Sequence, residues 1–230
     1  MTDPGTARRV VIVSGADGHA DPWHALDATS AAIADVVSGV GDVRIATTID
    51  PSSWGPADLL VLNVSGDLSV PPSPSGAQVD AIEAHHRAGG PILAMHSSSL
   101  AFRDDERWFR MLGGRWVPGV SMHPQIGNAL IQTAAVETSP SGMVAFPGDF
   151  FVYDERYTSL DVRPHVQVLA RHTEDGTTYP LVWWTGPTPS GGPVVYDALG
   201  HGVESFESAV HAEWLAATAG ALLTASEAHR

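Results

Sequence analysis

Four short polar segments carry the side chains best suited to chemistry, and each follows an apolar run. They are residues 19–24 (HADPWH), 95–99 (MHSSS), 151–157 (FVYDERY) and 197–202 (DALGHG). The pair His123-Pro124 is a weaker fifth candidate. Imidazoles and carboxylates exchange protons near neutral pH, and they also bind divalent metals. The segments therefore predict acid–base or metal chemistry.

The composition excludes several other classes of chemistry. The chain has no cysteine and no lysine, so it cannot use a thiolate, a disulfide or a lysine Schiff base. Its formal net charge of −14 and lack of a basic cluster argue against nucleic acid and anionic membranes as partners. No apolar run approaches the roughly 20 residues of a membrane span. With its polar start, the chain is expected to be cytoplasmic.

Two histidines follow predicted strands in positions from which they could reach a ligand. His96 stands where an apolar run turns abruptly into polar residues, so it should project over a sheet edge as an acid, a base or a metal ligand. The serines that follow it are expected to cap a helix, since the glycines of a serine-hydrolase elbow are absent. His201 lies between two glycines, which leave room for close approach of a ligand.

The other candidates are predicted either to contact the substrate or to form a pair of carboxylates. Asp154 and Glu155 follow an apolar run and have Tyr157 nearby, so one of them could act as acid or base. The expected substrate-contacting side chains are His19, His24, Trp23, Asp154, Tyr157 and Trp183. For each segment the alternative is an ordinary structural role, such as a satisfied histidine, a solvated carboxylate or a core tryptophan.

The elements that must position these residues are predicted from the apolar periodicity. Strands and helices alternate up to about residue 112, which predicts a parallel sheet with helices on both faces. Asp21 is expected to cap a helix, Ser75 and Gln78 to form a capping box, and residues 97–112 to form one helix directly after a strand. The second half reads as mostly strands, closed by a helix over 206–224. No linker divides the chain, so residues 1–230 are expected to form one domain, ordered over about 8–224.

Ligands of open α/β sheets bind beyond the carboxyl ends of the strands. The polar segments follow the predicted strands, so the sequence predicts that their side chains share one edge. The sequence alone does not show whether the histidine side chains contact one another there.

Several motifs together resemble the trehalose-utilisation (ThuA-like) family. They are residues 91–99, 108–114, 123–124, 154–157, 180–183 and 192–201. The resemblance implies a class I glutamine-amidotransferase-like fold, a flavodoxin-like three-layer sandwich that is mainly parallel with a β-rich second half. It also implies that His96 replaces the cysteine of the glutaminases, so the chain is not a glutamine amidotransferase. The family association implies a role in carbohydrate metabolism.

Three hypotheses follow for function. The first is an enzyme, a hydrolase or lyase, that acts on a disaccharide or 3-keto-glycoside through His96, Glu155, His201 and His123. The second adds a divalent metal such as zinc, with the same four side chains as ligands. The third is a non-catalytic module that senses a sugar or binds a partner protein. A homo-oligomer is left open.

Overall fold

The computed structural model describes residues 8–72, 74–137, 143–188 and 191–227. The strands are β1 (Arg9–Ser14), β2 (Asp42–Ala46), β3 (Leu59–Asn63), β4 (Ile92–Met95), β5 (Gly114–Arg115), β6 (Gly127–Thr133), β7 (Phe150–Asp154), β8 (Asp161–Val162), β9 (Gln167–Glu174), β10 (Thr177–Thr185) and β11 (Val194–Asp197). The α-helices are α1 (Leu26–Val37), α2 (Pro51–Trp54), α3 (Gly76–Arg87), α4 (Glu106–Leu112) and α5 (Ala209–Glu227). Two 3-10 helices cover His96–Leu100 and Val203–Glu207.

Nine of these strands form one mixed sheet in the order β2-β1-β3-β4-β11-β10-β9-β6-β7. The first five strands pair in parallel, and the last four continue the sheet with antiparallel pairs. Strands β5 and β8 form a separate two-stranded ladder. The predicted α/β class, with a parallel core and a β-rich second half, is confirmed.

The parallel strands form the core because helices cover both faces of the sheet. Strands β3, β4 and β11 are buried at every position, which explains their continuous apolar runs. Strands β2 and β3 lie on opposite sides of β1, so the direction in which the chain adds strands to the sheet reverses there. Right-handed crossovers then place α1 and α3 on opposite faces of the sheet. Helix α1 packs against α5, and α3 packs against α4.

The sheet curls so that its last strand returns to the parallel edge. Strand β7 is four places from β11 in the sheet order, yet the Asp154 carboxylate accepts hydrogen bonds from the backbone N–H groups of Gly200 and His201, just beyond β11. Four successive antiparallel pairings from β11 also make β7 run in the same direction as the parallel strands. The end of β7 therefore joins the carboxyl edge of the core.

The segment after β4 differs from the single helix predicted over 97–112. The chain makes a 3-10 turn over His96–Leu100, and α4 begins only at Glu106, where Asp105 caps it by accepting from the Arg107 N–H. The Ser97 and Ser98 hydroxyls donate to the backbone carbonyls of Val64 and Leu62 instead of capping a helix. Here tertiary hydrogen bonds prevail over the local helical pattern, and they tie the turn to the end of β3.

Two predicted helix caps are also wrong. Helix α1 begins at Leu26, and Asp21 instead accepts from the N–H groups of Trp23 and His24 in the loop before it. Helix α3 begins after Ser75 as predicted, but the Ser75 hydroxyl donates to the Asp104 carboxylate. In both cases the side chain binds a partner outside the helix instead of an N–H group of the first helical turn.

Among the described residues, every helix is too short or too polar to cross a lipid bilayer.

Candidate functional site

Each of the four polar segments contributes one side chain to a single cluster. His24, His96, Glu155 and His201 present ligand-type atoms that all lie within 4.8 Å of one another. They come from the loop after β1, the turn after β4, the end of β7 and the loop after β11. The predicted convergence at the carboxyl edge is therefore observed.

A cavity of about 420 Å³ opens above this cluster, a size suited to a small ligand. Its lining consists of Trp23, His24, Leu68, Leu100, Trp116, His123, Glu155, Tyr157 and His201. Trp23 is 56% exposed at the mouth. The walls are thus mostly apolar and aromatic, and the ionisable groups are gathered in one part of the lining.

His96 is buried at the cluster and its ring is fixed by two hydrogen bonds. Its Nδ1 lies 2.6 Å from the Ala198 carbonyl oxygen, so Nδ1 carries a proton and donates it. Its Nε2 lies 2.9 Å from the Tyr157 hydroxyl and 3.6 Å from a Glu155 oxygen. The residue has a φ of +35°, an unfavourable backbone angle that directs the ring over the sheet edge.

His24 is oriented by a carboxylate. Its Nδ1 lies 2.8 and 2.7 Å from the two oxygens of Asp21, which in turn accepts from the Ser65 hydroxyl. Burial opposes ionisation of Asp21, but the hydrogen bonds from His24 and Ser65 prevail and lower its pKa to about 2. Burial lowers the pKa of His24, so its ring is neutral and its Nε2 carries a lone pair. This Nε2 is buried without a hydrogen-bond partner.

Glu155 is the negative charge at the centre of the site. One oxygen lies 3.2 Å from His201 Nδ1, and the other lies 3.6 Å from His123 Nδ1. Burial opposes its ionisation, but His201 and His96 hold the pKa of Glu155 well below its usual range. The Glu155 carboxylate in turn raises the pKa of His201, against the effect of burial.

Tyr157 lines the cavity as predicted, although it is 2% exposed. Burial raises the pKa of its phenol well above the usual value, so the hydroxyl stays protonated and can donate. Its ring lies against Trp116, with centroids 4.9 Å apart.

Asp154 is a structural residue, and its prediction as a substrate contact is wrong. It is fully buried, and its carboxylate accepts from the N–H groups of Gly200 at 2.7 Å, His201 at 3.1 Å and Glu155 at 2.8 Å. These bonds fix the two loops that carry Glu155 and His201.

Trp183 and His19, two further expected substrate contacts, lie outside the lining of this cavity. Trp183 is fully buried in β10, and its indole N–H donates to the Leu112 carbonyl at 2.7 Å. His19 packs on Phe102 and lines a separate, much smaller cavity of about 20 Å³. An aromatic or imidazole side chain alone does not reveal which side of a strand or loop it will occupy.

His123 lies beside the cluster but is not one of its four converging members. Its side chain is 40% exposed, and its Nδ1 lies 3.0 Å from the Pro124 carbonyl oxygen. The predicted set of metal-ligand candidates therefore changes, because His24 takes the place of His123.

Several residues of the site were missed in the sequence. The sequence pattern predicts a helix cap at Asp21. Its three-residue spacing from His24 also fits a carboxylate–imidazole pair, which is what the structure has. Trp116, Leu68 and Leu100 line the cavity without any sequence pattern that marks them.

A buried ion pair supports the loop that carries His201. His211 in α5 places Nε2 2.7 Å from an Asp197 oxygen and Nδ1 3.1 Å from the Ser205 carbonyl oxygen. The Asp197 carboxylate and the Ser205 carbonyl can each accept from one ring nitrogen, an arrangement that favours the imidazolium form. Burial opposes this charge, but Asp197 raises the pKa of His211 overall.

Comparison with known proteins gives a family and a fold. The family described as trehalose utilisation (ThuA) matches residues 9–219. Among curated proteins no significant sequence match is found.

The chain is similar in structure to ThuA-like proteins from Parabacteroides merdae ATCC 43184 and Bacteroides uniformis ATCC 8492. The first comparison has a TM-score of 0.69 at 15% identity and covers 95% of this chain and 90% of that chain. The second has a TM-score of 0.71 at 15% identity and covers 97% and 94%. A beta-galactosidase from Rahnella sp. R3 gives a TM-score of 0.60 at 16% identity, with 92% of this chain matched to 31% of that chain. At these identities the likeness concerns the fold.

Proposed function

The chain belongs to the trehalose utilisation (ThuA) family, and from this premise we propose that it is an enzyme acting on a disaccharide or 3-keto-glycoside. The observation that carries the proposal is the convergence of His24, His96, Glu155 and His201 at the cavity. A module that only binds a sugar has no need of several ionisable groups within a few ångströms of one another.

The cavity suits a sugar. Trp23 and Trp116 offer flat apolar surfaces to a pyranose ring, and the Tyr157 hydroxyl and the imidazoles offer hydrogen bonds to its oxygens. The lack of a basic cluster in this lining favours a neutral ligand over a phosphorylated one.

The proposed reaction is an elimination that needs one base and one acid. A 3-keto group acidifies the C2–H bond, and the base removes that proton. The electron pair then forms the C1=C2 double bond while the bond from C1 to the glycosidic oxygen breaks. The departing oxygen takes a proton from the acid, which releases a free sugar and an enone. Addition of water to the enone would complete a net hydrolysis.

His123 is our candidate for the base. Its Nδ1 hydrogen bond to the Pro124 carbonyl leaves Nε2 as the basic nitrogen, and its ring is the most exposed imidazole of the cavity lining. The Glu155–His201 pair supplies the proton for the departing oxygen, with the carboxylate orienting the imidazole as in other acid–base pairs.

The test is turnover of 3-keto-disaccharides, followed as release of free sugar, in wild-type protein and in His123→Gln. We expect kcat to fall about 100-fold or more in His123→Gln with KM little changed, because a general base acts in the transition state. The matched control is His165→Gln, an exposed histidine outside the cavity lining, which should keep wild-type rates.

Two outcomes would overturn the proposal. Full activity in His123→Gln would remove the base from the mechanism. Sugar binding by wild-type protein in a thermal-shift assay, with no turnover of any keto or parent disaccharide, would identify a sugar-sensing module instead.

A further inference from the structure

The same cluster has the composition of a transition-metal site. Three imidazoles and one carboxylate are the ligands that zinc and similar divalent ions prefer. Their atoms come from four distant parts of the chain and lie within 4.8 Å of one another. A tetrahedral ion with bonds of about 2.0–2.2 Å needs only a modest contraction of this set.

The groups behind the ligands already hold two of the rings in a metal-binding orientation. Ligating histidines usually donate their second N–H to a carboxylate or a backbone carbonyl. His24 does so to Asp21, and His96 does so to the Ala198 carbonyl at 2.6 Å. In both rings Nδ1 is therefore committed, and Nε2 is the nitrogen left for the ion.

A buried atom without a partner gives an independent argument. His24 Nε2 is shielded from solvent and has no hydrogen bond. Its ring centroid lies 5.0 Å from that of His96 and 4.9 Å from that of His201. A buried, unpaired lone pair costs free energy, and a cation bound between these rings would satisfy it.

We infer that His24, His96, Glu155 and His201 bind one divalent metal ion, with zinc favoured by the donor set. His123 is not a ligand, because its Nδ1 lies 3.6 Å from the Glu155 oxygen that does not contact His201. The Tyr157 hydroxyl, now 2.9 Å from His96 Nε2, would then donate to a water or sugar oxygen that binds the ion as a fifth ligand, a coordination number that zinc can reach by expansion. The cavity provides access for that oxygen.

Metal binding stands independently of turnover, and only its catalytic consequence rests on the proposed function. In that case a bound ion, held by the three imidazoles and Glu155, would supply Lewis acidity toward the sugar carbonyl. His201 is then a ligand, and His123 carries the proton from carbon to the departing glycosidic oxygen.

The binding test uses full-length protein without a histidine tag, stripped with a chelator and titrated with Zn²⁺ by calorimetry. We expect about one equivalent of zinc, and Co²⁺ in its place should give visible d–d absorption bands with imidazole ligation. Binding of well under one equivalent by wild-type protein would overturn the inference without reference to any variant.

Variants locate the ion. His24→Gln should reduce zinc affinity at least 100-fold, and Asp21→Asn, which removes the carboxylate that orients the His24 ring, about 10–100-fold. His165→Gln is the control and should bind as wild type. Circular dichroism of each variant checks the fold, and equal affinity in properly folded His24→Gln and His165→Gln would exclude this site.

The two proposals fail in different ways. One equivalent of zinc with no turnover of any sugar would leave the metal site standing and reject the proposed function. Full turnover by protein shown to be metal-free would support the proposed function and reject only the catalytic role of the ion, while the zinc titration decides metal binding itself.

Discussion

At the scale of single residues, the site depends on groups that never reach the cavity. The φ of +35° at His96 costs of order 1–3 kcal/mol for a residue other than glycine. Several hydrogen bonds hold it there, including one from the Tyr196 hydroxyl to the His96 carbonyl at 2.6 Å. A histidine so fixed loses little further freedom when it binds an ion or a substrate.

His211 gives a test of the support beneath the site. His211→Gln leaves the buried Asp197 carboxylate without its countercharge, so we expect the free energy of unfolding to fall by about 3–5 kcal/mol. Urea denaturation at pH 6 measures this loss, and retained secondary structure by circular dichroism shows that the variant folds.

The same pair predicts a pH dependence of defined sign. The pKa of His211 is raised in the folded protein because the favourable contact with Asp197 outweighs the cost of burial. Its contribution to stability is therefore complete below the unfolded value of 6.5 and is lost as pH rises through the folded pKa. The difference in unfolding free energy between wild type and His211→Gln should shrink above pH 6.5. A constant difference would contradict the imidazolium assignment.

At the scale of elements, the turn between α4 and β5 is shaped by Trp183. Its indole occupies the space where a side chain at Gly114 would stand, and its ring lies 4.3 Å from that of Tyr196. Gly113 also ends α4 with a φ of +80°. This turn supports the residues just before Trp116, which lines the cavity.

Gly114→Ala is expected to destabilise the protein by about 1–3 kcal/mol, because the new methyl group would collide with the Trp183 ring. Gly127→Ala in β6 is the matched control, since nothing lies within 4 Å of its added methyl group. Chemical denaturation of both variants measures the difference, and equal stabilities would show that Trp183 can move aside.

Much of the element pattern could be predicted because parallel strands buried on both faces have continuous apolar runs. What could not be predicted depends on tertiary partners. Ser97 and Ser98 bond to β3, and Ser75 bonds to Asp104, so neither the helix over 97–112 nor the capping box formed. The convergence of the four segments was predictable from their strand ends. The sequence could not show that His24, and not His123, is the third imidazole of the cluster, because that depends on how the loops fold.

At the scale of the whole molecule, the net charge of −14 is a source of self-repulsion. Raising salt from about 0.01 M to about 1 M shortens the screening length from about 30 Å to about 3 Å, so the thermal midpoint at pH 7 should rise. Near the isoelectric pH of about 5.0 the effect should largely vanish, which makes that pH the internal control. Equal increases in the thermal midpoint at pH 7 and at the isoelectric pH would show that general salting-out, and not screening of the net charge, causes the effect.

The curl of the sheet that brings β7 back to β11 also has a consequence for biosynthesis. The Asp154 clamp joins the end of β7 to the loop after β11, whose Gly200 and His201 lie 46 and 47 residues further along the chain. A ribosome-bound chain can fold β1 to β4 early and present His24 and His96, yet it lacks the clamp until the loop of His201 has been translated. The pocket is thus assembled only after that loop has been translated, and premature termination before it yields a chain without the pocket.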